Sequence, residues 1–255
     1  MTTVSTLVLR SPGTNCDEET AYAFQLAGSG TELVHIRRLV ATPHPLSDFQ
    51  IMVLPGGFAY GDDLGAGKVV ANEISLKLNE EIDSFVRRGG LVMGICNGFQ
   101  ILVKAGLLPG PLASGQKVTL TANDCGRFEC RWINLKVNPG SRCVFTTGIE
   151  RISLPVAHGE GKLVAPAETL AELDAAMYYC DVEGRETADY PDNPNGSMGN
   201  IAGLTDATGR IFALMPHPER YVRATQHPRW TAGSAHDPGD GLRIFKNAVN
   251  WVKNL

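Results

Sequence analysis

The chain has 255 residues, 43% hydrophobic and 20% charged, enough to bury a full core without a disulfide or a metal to hold it. Its net charge of −4, with Lys and Arg scattered rather than massed, argues against a nucleic-acid partner. No window reaches the roughly 18 consecutive apolar residues of a membrane span, and the opening MTTVSTLVLRSPG has no basic leader, so the expectations are no signal peptide, no membrane and a cytoplasmic location.

In chain order, residues 4–10 read as a strand. Residues 17–27 read as a helix capped near Asn15 with Gly28 just past its end, 32–36 as a second strand and 51–54 as a third. A long helical pattern over 68–88 runs into Gly89-Gly90 and a wholly apolar strand, 91–95, of the kind buried inside a parallel sheet. A helix over 97–105 closes at Gly106. From 116 to 165 short alternating segments such as FECRWINLKV and RISLPVAH predict added antiparallel strands, and DYPDNPNGSMGN is a turn-rich loop. Strands at 200–205 and 211–215 precede PHPER, and the chain ends in a helix with Leu242, Phe245, Val249 and Val252 on one face. There is no repeat or clear linker, so the expectation is one α/β domain over 1–255. Its sheet is open and mostly parallel, with helices on both faces and extra antiparallel strands.

The stretch GICNGFQ places Cys96 between a buried strand and a helix, with Gly94 and Gly98 two residues before and after. A nucleophile on such an elbow needs very small residues at those two positions, because the backbone folds back on itself. The turn should expose the sulfur at the carboxyl end of the sheet, where the start of the next helix favours a thiolate. Pro55-Gly56-Gly57 ends another apolar strand on the same rim. There the Gly57 N–H, with that of Asn97, could meet an oxyanion. Pro218 should hold His217 extended so that His217 and Glu219 face one space, a Cys-His-carboxylate arrangement.

Other features carry less. GAGK at 65–68 lacks both the earlier glycine and the Ser or Thr of a phosphate loop and reads as a helix start. The six cysteines are irregularly spaced with no C-x2-C pair, against zinc or a disulfide framework; most should be buried hydrophobes, with Cys125 and Cys130 structural in a strand region. His227, His236 and Asp237 follow no metal-ligand spacing, and no metal is expected.

Taken together, GICNGFQ, PGGF and PHPER resemble the class I, or triad, glutamine amidotransferases. SPGTNCDEETAYAFQLAG, LPGGFAYGDDLGAGKVVANEI, SGQ with RFECRW, PVAHGEGKL, NPNGS and MPHPER resemble, more narrowly, the glutaminase components of phosphoribosylformylglycinamidine synthases. These blocks run from residue 11 to about 223. The resemblance implies a flavodoxin-like fold and hydrolysis of L-glutamine. Cys96 would form a γ-glutamyl thioester, His217 would be the acid/base and Glu219 its orienting partner. Gly57 and Asn97 would supply the oxyanion hole, and Gln100 would help hold the substrate. His158, Gly159 and Glu160, with Asn195 to Ser197, match segments near the glutamine pocket. It implies no cofactor on this chain, ATP and Mg on a large synthetase partner, and a small bridging subunit. Segments 181–192 and 231–241 match the pattern least. Two alternatives stand beside this one: a DJ-1-like or peptidase-like cysteine hydrolase, and a non-catalytic regulatory subunit of the same fold.

Overall fold

The apolar runs at 51–54 and 91–95 are strands buried along their whole length, and they lie side by side at the centre of a nine-stranded sheet. The computed structural model describes residues 4–42, 44–110, 115–233 and 235–255; Ser114 of the SGQ motif and Ser234 of the 231–241 segment fall outside them. In chain order the elements begin β1 (Ser5–Arg10), α1 (Asp17–Leu26), β2 (Gly30–His35), α2 (Ile36–Ala41), β3 (Ile51–Leu54), α3 (Lys68–Lys77), α4 (Asn79–Arg87), β4 (Leu91–Ile95) and α5 (Asn97–Lys104). They continue with β5 (Thr119–Thr121), β6 (Glu129–Val137), β7 (Arg151–His158), β8 (Lys162–Val164), α6 (Ala167–Glu172), β9 (Asp174–Cys180), β10 (Ile201–Thr205), β11 (Ile211–Leu214) and α7 (Leu242–Lys253).

The large sheet runs β2-β1-β3-β4-β11-β10-β9-β6-β7, and β5 pairs with β8 in a small separate ribbon. The pairs from β2 through β11 are parallel; those from β11 to β7 are antiparallel. The expected α/β sheet with appended antiparallel strands is therefore present. Strand order reverses at β1/β3, so right-handed crossovers put the connecting helices on opposite faces. On one face α1 meets α7, Phe24 packing edge-to-face on Phe245 at 5.0 Å between centroids. Leu242, Phe245, Val249 and Val252, the stripe predicted on the last helix, are all buried.

Three local expectations fail. The strand expected at 32–36 starts at Gly30 and stops at His35, whose ring Nδ1 accepts from the Arg37 N–H and so caps a short helix. The helical pattern over 68–88 is two helices: Leu78 leaves helical geometry at φ −127°, ψ 7°, which turns α4 so that Ile82, Phe85 and Val86 reach the core. Helix α1 is capped at Cys16 without a side-chain bond, because the Asn15 amide oxygen accepts from the Cys16 thiol instead. Strand β9 and helix α6 were not anticipated.

The antiparallel half curls over the carboxyl rim. Although β7 is the far edge of the sheet, its Pro155 carbonyl accepts from the His217 N–H at 2.8 Å, just past β11.

Candidate active site

Cys96 occupies the turn between β4 and α5 at φ 51°, ψ −104°, a backbone state that non-glycine residues avoid unless the surroundings enforce it. The surroundings do. Its N–H donates to the Leu214 carbonyl at the end of β11, at 2.8 Å. A Cβ on Gly94 would lie 2.8 Å from the Gly98 carbonyl carbon, and one on Gly98 would overlap the Leu54 carbonyl, so both flanking positions need glycine for space. The sulfur is less open than expected. Cys96 is only 6% exposed and is reached through a cavity of about 250 Å³, where its thiol donates to the Ala157 carbonyl of β7 at 3.6 Å.

His217 follows β11, the strand paired in parallel with β4, and lines the same cavity as Cys96. A side chain on Gly56 would meet His217 Cε1 at 2.8 Å and Cys96 Cβ at 3.5 Å, so the two residues flank its bare backbone. His217 Nδ1 and Glu219 Oε1 are 2.6 Å apart, both residues buried. They meet across the start of a 3-10 turn, Pro218–Arg220, rather than along an extended strand as expected. Burial opposes charge on the imidazole. The Glu219 carboxylate and the adjoining Cys96 and Cys16 outweigh it and hold the His217 pKa well above 6.5.

Gly57, at φ 141°, also lines the cavity. The strap formed with residues 13–16 is bonded through the Gly56 carbonyl and the Phe58 N–H, and the intervening Gly57 amide takes no part in it. Asn97, the other expected oxyanion residue, is buried and does not line the cavity, but its side chain braces residues that do: its Oδ1 accepts from Ala59 N–H at 3.1 Å, and its Nδ2 donates to Asp62 and Gln100. Gln100 in turn donates to the Glu160 carbonyl at 2.6 Å. Gln100, His158, Gly159 and Glu160 all line the cavity. His158 is buried, its Nδ1 3.1 Å from Asn123 Oδ1 and its Nε2 without a protein partner. Burial, with the His217 charge nearby, lowers its pKa to about 4.

Asn195 and Ser197, expected at the substrate, do not line the cavity. They sit behind it. Asn195 donates to the Tyr179 hydroxyl, and Ser197 Oγ accepts from Leu163 N–H and donates to the Gly161 carbonyl, which holds the turn after His158 in place. Cys130 is exposed on β6 and Cys125 lies in the preceding turn, donating to buried Glu129, so neither is a core cysteine. His227 packs edge-on against Trp132 and tilted against Tyr221. The cavity also includes Asn15, Cys16, Phe58, Asp62, Phe128 and Arg220, which the sequence did not single out as site residues. Asn15 and Cys16 follow β1 onto the same carboxyl rim that drew attention to Gly57, and that was the available signal.

A cysteine elbow on a parallel strand, with a histidine–carboxylate pair on the neighbouring strand of a flavodoxin-like sheet, defines the class of triad glutamine amidotransferases. The model of the CobB/CobQ-like glutamine amidotransferase domain matches residues 3–252. The chain belongs to that family, and within it to the PurQ type. It is 61% identical over 255 residues, all of both chains, to phosphoribosylformylglycinamidine synthase subunit PurQ of Dehalococcoides mccartyi. It is 43% identical over 262 residues, 96% of each chain, to the subunit of that name from Methanococcus maripaludis. The solved structure of PurLQS from Thermotoga maritima superposes with a TM-score of 0.76 at 32% identity, over 98% of this chain and 100% of that one. A putative GMP synthase subunit from Thermoplasma acidophilum, at 15% identity and a TM-score of 0.61, shares the fold, over 100% of this chain and 96% of that one. The unrelated cysteine-hydrolase alternative falls with this membership. Among the described residues no helix is long and apolar enough to cross a membrane.

Proposed function

We propose that this chain, as one domain over residues 1–255, is the glutaminase of a phosphoribosylformylglycinamidine synthase. It hydrolyses L-glutamine and passes the ammonia to a synthetase subunit. The observation that carries the reading is the convergence of Cys96 and His217 in one cavity, with buried Glu219 paired behind the imidazole. Cys96 Sγ attacks the side-chain amide carbon of glutamine, its proton residing on His217 Nε2 while Glu219 fixes Nδ1 and the ring's orientation. The Gly57 and Asn97 N–H groups hold the oxyanion. His217 gives its proton to the leaving nitrogen, ammonia departs and a γ-glutamyl thioester remains. Water deprotonated by His217 then attacks the thioester, and glutamate and the thiol are restored.

Gln100, Gly159 and Glu160 form the substrate wall. Neutral His158, with Nδ1 turned to Asn123, presents an acceptor at Nε2 to a substrate N–H. Asn195 and Ser197 act indirectly, by positioning that wall. No cofactor is needed for these steps. ATP and Mg serve the synthetase, which activates formylglycinamide ribonucleotide in the cytoplasm. Ammonia released into water at neutral pH is protonated and loses its nucleophilicity, so transfer has to be sheltered, which favours a complex with a large synthetase and a small bridging subunit. The likeness to a PurLQS structure supports such partners.

The test is Cys96→Ala in the presence of the synthetase subunits. Glutamine-dependent synthesis should vanish while ammonia-dependent synthesis persists. Equal loss of both would show that Cys96 serves assembly rather than chemistry.

A further inference from the structure

Cys16 has no part in the steps above, yet its sulfur lies within their machinery. Ligand atoms of Cys16, His217 and Glu219 lie within 4.8 Å of one another, and all three residues are buried. A Cβ on Gly56 would meet Cys16 Sγ at 3.2 Å and His217 Cε1 at 2.8 Å, so the thiol and the imidazole face each other across a bare backbone. Two polar atoms here have no protein partner, His217 Nε2 and Glu219 Oε2. The neighbours of Cys16 steady its sulfur: Asn15 Oδ1 accepts from it at 3.2 Å, and Arg220 Nη2 donates to it at 3.1 Å. Arg220 also donates to Glu19 at 3.0 Å and stands 3.9 Å from Glu219 Oε1, so the guanidinium has to move off both the sulfur and the Glu219 carboxylate, toward Glu19, for a cation to enter.

A thiolate, an imidazole nitrogen and a carboxylate oxygen are the donors that select zinc-like ions over magnesium or calcium. Tetrahedral zinc ligands stand about 2.0–2.3 Å from the ion and hence under about 4 Å from one another, so the three donors here have to close by about 1 Å at their widest. We infer that this chain binds a thiophilic divalent cation of the zinc class through Cys16, His217 and Glu219, the fourth position being left to water or to the sulfur of Cys96. An ion there withdraws His217 and Glu219 from Cys96 and stops glutamine hydrolysis reversibly. The binding stands on geometry alone, whereas the inhibition rests on the proposed roles of His217 and Glu219.

The experiment titrates the full-length chain with Co²⁺, displaces it with Zn²⁺, and follows the thiolate-to-cobalt charge-transfer absorption. One equivalent should bind. Cys16→Ser should weaken Zn²⁺ binding by more than about tenfold, since loss of even an outer-shell partner costs on the order of 10–100-fold. The exposed-side thiols serve as the control, and a Cys125→Ser/Cys130→Ser chain should bind as the parent does. Alkylation of the unmutated protein, read by mass spectrometry, keeps the test decisive if Cys16→Ser misfolds: Zn²⁺ should slow labelling of Cys16 and leave Cys130 unchanged. Binding that persists in Cys16→Ser, protection confined to Cys125 or Cys130, or no binding at micromolar Zn²⁺ overturns the site. Binding at Cys16 without loss of glutamate release upholds the site and overturns the assignment of His217 and Glu219 to the reaction.

Discussion

Replacing Gly98 by Ala tests whether packing alone holds the elbow. The added Cβ would overlap the Leu54 carbonyl oxygen and lie 2.8 Å from its carbon, so β3 and the start of α5 have to separate by more than about 1 Å to clear the oxygen. Overpacking of this kind costs about 1–3 kcal/mol, and the better helix propensity of Ala returns about 1 kcal/mol. The net loss of about 0–2 kcal/mol lowers the melting temperature by at most a few degrees in a chain of this size. The displaced atoms include the Asn97 amide and the backbone of Cys96. Because a misplacement of about 1 Å costs roughly 10²-fold in rate, glutamate release at 25 °C should fall by tens-fold to a hundred-fold while the protein remains folded. Gly140→Ala is the control: its nearest neighbour, Asn138 Oδ1, is 3.4 Å from the new atom, and both activity and midpoint should stay near the parent. The reasoning is refuted if Gly98→Ala matches Gly140→Ala in glutamate release.

Further expectations concern ionisation and support. His217 has a raised pKa, so its charge contributes stability that is full below about pH 6.5 and is lost as pH rises through the folded value; His217→Gln should cost more at pH 6 than at pH 9 in urea unfolding, and an equal cost at both would contradict this. His158, held neutral down to about 4, acts in the opposite sense: the protein should lose stability as pH falls from about 6.5 toward 4, and His158→Gln should remove part of that slope. Glu129 is buried, which raises its pKa, but hydrogen bonds from Arg127, Arg131 and Cys125 bring it to about 2. Its contribution should therefore be present above about pH 4.5 and lost below, and Glu129→Gln should cost about 2 kcal/mol at neutral pH. Asn195→Ala should leave the Tyr179 hydroxyl unpartnered at about 1–3 kcal/mol and raise KM for glutamine more than it lowers kcat; the reverse pattern would place Asn195 at the reacting atoms.

What could be read in advance follows from where the physics is local. Strands 51–54 and 91–95 matched to the residue, because both faces are buried and Pro-Gly-Gly closes the first run while Gly-Gly opens the second. The elbow glycines were legible because the requirement for space acts two residues from Cys96. Helix α2 was missed because an uncommon cap, the His35 ring, ends β2 one residue before the apolar pattern does. The break at Leu78 leaves no Gly or Pro in the sequence to mark it. Cys16 was passed over as a site residue because 80 positions separate it from Cys96 and its place on the rim after β1 was the only signal; the parallel packing of β1, β3 and β4 brings the two together. Asn195 and Ser197 were placed near the right feature but on its hidden side, a distinction set by the curl of the antiparallel strands.

That curl makes the site a closed circuit of hydrogen bonds. Cys96 is tied through its N–H to the end of β11, and His217, three residues further on, is tied to Pro155 of β7; the circuit closes where the Cys96 thiol meets Ala157 on that same strand. Residues 116–180 contain none of Cys96, His217 and Glu219, yet they supply the link that fixes one of these residues against another. Excising that segment would therefore keep all three residues in the chain while removing the strand that links Cys96 to His217.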